Sequence, residues 1–169
     1  MNNNLIKYSF LFFLLIFIQV ALFNNISLFG YAQPMFYILF VFLYPMTNQK
    51  GFFLLLAFLL GLSIDFFSNS GGINAAATLF IAYIRMPVLK IISNKSDFDS
   101  VLFQYNSLPF GQQISYLLSL TIIHHFIVFS LSYFKLSALK FITIDTLASS
   151  AFTLMLLVFY SQLFLKKIR

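Results

Sequence analysis

The stretch GLSIDFFSNSGGINAAATLFIAYIRMP, Gly61–Pro87, sets one aspartate and one arginine among small residues, with long apolar runs on both sides. Its reading depends on the solvent around the chain. The 169 residues are 61% hydrophobic and only 8% charged, with a mean hydropathy of +0.94. A soluble domain carries about a quarter of its residues as charges, and this chain cannot cover itself with so few. Its outer surface therefore faces lipid, and the chain reads as an all-α integral membrane protein. Cysteine is absent, which excludes disulfides, thiolate nucleophiles and cysteine metal sites. The net charge of +6 fits basic residues gathered in cytoplasmic loops better than a nucleic-acid partner.

In a membrane, Gly61–Pro87 becomes the end of one helix, a glycine-rich turn and most of the next helix. Crossing the hydrocarbon takes about 20 apolar helical residues. Six segments qualify, at 5–23, 33–46, 51–67, 73–92, 113–133 and 141–165, and they predict a single polytopic domain over residues 1–169. The second is short: Pro34 suits a first helical turn, whereas Pro45 ends the helix near Thr47–Lys50. Residues 93–112 form the one substantial linker. The N-terminus has the basic start of a signal peptide, but the apolar run from Tyr8 to Phe23 is long and no A-x-A-like site follows. An uncleaved first transmembrane helix is expected. With the N-terminus inside, Lys7, Lys50, Arg85, Lys90, Lys95, Lys166, Lys167 and Arg169 lie toward the cytoplasm, and only Lys135 and Lys140 lie outside. That split predicts a bundle of about six helices with both termini in the cytoplasm.

Polar residues inside the membrane usually face the bundle and find partners. At about 1.5 Å per residue, Asp65 lies about 21 Å along the third helix, Arg85 about 18 Å along the fourth and Asp145 about 6 Å into the sixth. His124 and His125 fall near the middle of the fifth. Ala57, Gly61 and Asp65 share one helix face, and AFLLG is a small-xxx-small motif. Ala75, Thr78, Ala82 and Arg85 form a second small-residue stripe across the turn at Gly72. These two stripes, with Asn74, predict a packed antiparallel hairpin for helix contact or partner binding. Three roles are open to Asp65: capping the SNSGG turn, pairing with Arg85 or a histidine, or meeting a partner. Arg85 either turns inward or snorkels toward the headgroups.

No metal or cofactor is expected. The two histidines point about 100° apart, and a zinc site needs three or four convergent ligands. There is no glutamate, H-E-x-x-H, G-x-S-x-G or phosphate-binding loop, so no enzyme chemistry is expected.

The segment QPMFYILFVFLYPMTNQKGFFLLLAFLLGLSIDFFSNSGGINAAATLFIAYIRMPVL resembles the central region of the rod shape-determining protein MreD family. The resemblance rests on the order Pro34, Lys50, Gly61-Leu62, Asp65, Gly72 and Asn74-Ala75. The later IIHHFIVFSLSYFKLS and LASSAFTLMLL look like Bacteroidetes-type members, and it covers about Gln33–Leu157. One departure is Ser132, where such members often carry an acid. The resemblance implies a non-enzymatic scaffold in the bacterial inner membrane. Its implied partners are MreC, the actin-like MreB, the glycosyltransferase RodA and a penicillin-binding transpeptidase. The family's bundle is also similar to the substrate-binding subunits of energy-coupling-factor vitamin transporters. A small transporter subunit of that kind is the alternative expectation, although the bulky, Phe-rich first helix counts against it.

Overall fold

The computed structural model describes residues 2–26, 32–45, 50–93 and 108–165. Their order is α1 (Asn2–Ala21), α2 (Leu39–Leu43), α3 (Lys50–Ser68), α4 (Ile73–Ser93), α5 (Phe110–Tyr133) and α6 (Leu139–Tyr160). Short 3₁₀ turns at Phe23–Asn25, Phe36–Ile38 and Leu136–Ala138 flank α1, α2 and α6, and a π turn at Ser161–Leu165 closes α6. Five helices are long and apolar enough to cross a membrane. The chain is therefore a multi-pass, all-helical membrane protein, and its exposed leucines and phenylalanines are its lipid-facing coat. Most of residues 93–112, together with Lys95 and the basic tail at 166–169, lie outside the described residues.

The expectation of a second transmembrane helix at 33–46 is corrected. In its place stand irregular chain at 32–35, one 3₁₀ turn and the five-residue α2. Two physical features explain the difference. Pro34 and Pro45 leave too few residues between them for a spanning helix. Tyr44 before Pro45 is extended, at ψ 129°, as the clash with the proline ring requires. Every residue from Tyr37 to Phe42 is buried, so the segment is the core of the bundle and not part of its lipid face.

This segment still crosses the bundle. Asn24 at the end of α1 donates through Nδ2 to Ser68 Oγ at the end of α3, 2.9 Å away, so α1 and α3 finish at the same end. That end, where α4 begins, is called the upper end below. The intervening chain must return to the lower end before α3 starts. The described part makes that return: Pro34 O is bonded to Gln19 near the upper end, and Val41, Tyr44 and Pro45 are bonded to Arg85 farther down α4.

Around this core, α3 and α4 pack as a hairpin, α4 packs on α5, and α5 on α6. The turn between α3 and α4 holds Asn69, Gly71 and Gly72 at φ +52°, +66° and +95°, positive values that glycine adopts freely and asparagine tolerates. A Cβ on Gly61 would lie 2.6 Å from Ala75 Cα and 2.6 Å from Asn74 O. The backbones of α3 and α4 therefore meet at Gly61, and only glycine fits there.

Candidate functional site

The face Ala57–Gly61–Asp65 of α3 points into the bundle against the start of α4, and all three residues are buried. Asp65 is 4% exposed and its carboxylate accepts from four groups. The Ala75 backbone N–H reaches Oδ2 at 2.7 Å, while the Asn74 N–H and Nδ2 reach Oδ1 at 2.9 and 3.0 Å, with the Ser70 hydroxyl. Two backbone donors of the first turn of α4 thus receive an anion, which also opposes the positive end of the helix dipole. Of the three roles open to Asp65 the bonds match the cap, although the carboxylate is buried, whereas the capping role expected from the sequence had it facing external water. Arg85 lies about 18 Å farther along α4, and the two form no ion pair among the described residues.

Asp65 also orders a chain of polar groups that runs to the middle of the bundle. Its carboxylate takes only donors, so the Asn74 amide must turn its NH2 toward it and its Oδ1 away. That Oδ1 accepts from the Tyr37 hydroxyl at 2.9 Å. With its proton so used, the Tyr37 oxygen faces His124 Nε2 at 3.0 Å and accepts from it, which places the proton of the neutral imidazole on Nε2. Thr78 Oγ1 donates to Asn74 O and stands 3.5 Å from the same ring nitrogen. His124 Nδ1 and Thr121 Oγ1, one turn apart on α5, are buried with no hydrogen-bond partner among the described residues.

His125 has the opposite tautomer. Its Nδ1 lies 2.9 Å from the Thr121 carbonyl, an acceptor only, so Nδ1 carries the proton and Nε2 accepts from Thr153 Oγ1 at 3.2 Å. Thr153 in turn accepts the Met35 backbone N–H at 3.0 Å. The two histidines therefore serve different elements: His124 joins α5 to the Tyr37 segment and α4, and His125 joins α5 to α6. They do not converge with the acids, and no group of three or more His, Asp or Glu gathers among the described residues.

Arg85 turns inward. It is 4% exposed and its guanidinium lies 3.6 Å from the centre of the Phe53 ring. NH1 donates to Val41 O and Tyr44 O at 2.8 and 3.0 Å, and NH2 donates to Pro45 O at 3.2 Å. A short helix leaves its last carbonyls without intrahelical donors, and Arg85 supplies both the donors and the positive charge that the C-terminal end favours. Ala75, Thr78 and Ala82 lie buried above it on α4.

The irregular entry to α2 is held in the same way by side chains that the residue-by-residue reading passed over. Gln19 donates to Pro34 O at 3.0 Å and accepts the Tyr37 N–H at 3.3 Å. Ser149 accepts the Gln33 N–H at 3.0 Å. Two signals for these contacts were available in the sequence. Gln19 interrupts the otherwise apolar run FLFFLLIFIQVALF, Phe10–Phe23, and Ser149 and Thr153 stand one turn apart on α6. Asp145 is buried near the upper end, with the Tyr133 hydroxyl donating to Oδ2 at 2.7 Å and Oδ1 without a partner among the described residues.

Above this frame lies a cavity of about 390 Å³. Its floor includes the buried Gln19, Tyr37 and Asn74, and its rim the exposed Asn24, Asn25, Gln33, Ser68 and Ser132. No family model, curated protein or solved structure matches the chain.

Proposed function

We propose that the chain is a non-enzymatic membrane scaffold of the bacterial rod-shape complex, linking the MreB filament through MreC to lateral peptidoglycan synthesis by RodA and a transpeptidase. The reading rests on the resemblance of Gln33–Leu157 to the MreD family. The observation that carries it is the convergence of four of the residues on which that resemblance stands. Gly61, Asp65, Asn74 and Ala75 meet where α3 touches α4, and Pro34 is tied to α1 by Gln19. Four of the residues that carry the resemblance, from Gly61 to Ala75, thus build one structural joint, as a shared fold would require.

The polar interior suits a scaffold. Asp65, Arg85 and Thr153 are spent on backbone groups of neighbouring segments, and His125 ties α5 to α6 through Thr153, which makes the bundle a rigid platform for partners. In this reading the protein lies in the cytoplasmic membrane with both termini inside, and the upper end faces out. Because the chain has no cysteine, single cysteines at Lys50 and Lys140 test the orientation directly. An impermeant maleimide should label the second and spare the first. Depletion of the protein should turn rods into spheres, and MreC should co-purify with it. Depleted cells that keep their rod shape and normal wall labelling would refute the proposal.

A further inference from the structure

We propose that the cavity at the upper end binds one neutral, hydroxyl-rich molecule of monosaccharide size. Its volume, about 390 Å³, falls within the range of small-molecule sites and equals about a dozen water volumes. The chemistry of the wall narrows the ligand. No described lining residue is charged, so an anion or cation entering the cavity would leave its hydration shell without gaining a counter-charge from them. A purely apolar occupant is equally ill matched, because it would strip water from amides and hydroxyls and leave them unpaired.

The rim supplies what a polyol needs. The side-chain amides of Asn25 and Gln33 bond to no other described group of the protein. Each presents two donors and an acceptor, a pattern that meets adjacent hydroxyls, which also donate and accept. The floor is already organised: Gln19 is fixed by Pro34 O and the Tyr37 N–H, and Asn74 by Asp65. A ligand thus meets preset groups below and free amides above, with Phe23 in the wall beside it. This chemistry fits a free sugar and the sugar headgroup of a neutral glycolipid alike. The inference holds independently of the scaffold reading.

The test uses the full chain in nanodiscs prepared without glucoside or maltoside detergent, which would occupy the site. One arm measures saturable retention of radiolabelled glucose. A second compares the protein's thermal midpoint in discs containing glucosyl-diacylglycerol with that in discs of diacylglycerol alone. Retention in the first arm or stabilisation in the second supports the proposal and identifies the source. Gln33→Leu and Asn25→Leu change rim amides that the frame does not use, so both variants should fold. Each should weaken binding about tenfold, the effect of one lost hydrogen bond to a ligand hydroxyl. Glucose 6-phosphate should bind at least about tenfold more weakly than glucose, for lack of a counter-charge. The proposal is overturned if wild-type protein responds to neither form of the sugar, if both variants bind as wild type does, or if the phosphate binds equally well.

Discussion

Replacing Gly61 with alanine adds one methyl group, and the structure predicts that it opens the joint between α3 and α4. The new Cβ would stand 2.6 Å from Ala75 Cα, whereas ordinary contact begins at 3.4 Å, so the helices must separate by about 0.8 Å or compress against each other. The neighbouring atoms are backbone and cannot swing aside. Separation of that size would stretch the bonds from Asp65 to the Ala75 and Asn74 N–H groups, now 2.7 and 2.9 Å, to about 3.5 and 3.7 Å, past the useful range. Overpacking costs about 1–3 kcal/mol, and each weakened bond to a charged acceptor adds up to about 1.5–3 kcal/mol. Helix propensity returns only about 0.5–1 kcal/mol. We expect a net loss of about 3 kcal/mol, or about 10 °C in the midpoint for a chain of this size. Thermal unfolding in detergent, followed by circular dichroism, measures it. Gly51→Ala provides the control, because nothing lies within 4 Å of a Cβ there and the substitution should be neutral or slightly stabilising. Equal midpoints for the two variants would refute the close-contact argument.

Asp65→Asn keeps the shape but replaces one acceptor oxygen with a donor, leaving an Asn74 or Ala75 donor unpaired. It should lower stability by about 2 kcal/mol in the same assay. Arg85→Lys keeps the charge but cannot span the carbonyls of Val41, Tyr44 and Pro45 as the guanidinium does. We expect a loss of about 2 kcal/mol and faster amide exchange around α2, measured by mass spectrometry. Thr153→Val strands the Met35 N–H and His125 Nε2 and should cost about 2 kcal/mol. Ser150→Ala, one turn away, removes a hydroxyl without a partner among the described residues and should cost less than about 0.5 kcal/mol.

The membrane setting was legible in composition alone, because 8% charge cannot solvate the surface of a chain this long. The α3–α4 hairpin was legible too. Small residues every fourth position and a turn rich in glycine can do little else in lipid, and the helix ends fell within a few residues of the expected ones. The second helix misled because hydropathy reports only that a segment avoids water. A buried core segment and a lipid-facing helix avoid water equally, and only the packing of α1, α4 and α6 around Tyr37–Phe42 distinguishes them.

The partners of the isolated polar residues were decided by tertiary structure. The sequence showed that Asp65, Arg85, His124 and His125 must be satisfied, since an unpaired polar group in hydrocarbon is costly. Pairing with Arg85 or a histidine was one of three roles open to Asp65, and the acid and the base each found backbone instead. Asp65 caps the start of α4, and Arg85 caps the end of an α2 whose shortness periodicity did not reveal. The physical reason is general to broken elements in membranes. Wherever a helix starts or stops away from water, its own N–H and C=O groups become the most abundant unsatisfied partners nearby. Which side chain meets them depends on distances across the fold, such as the 44 positions between Val41 and Arg85, and no local pattern encodes those distances.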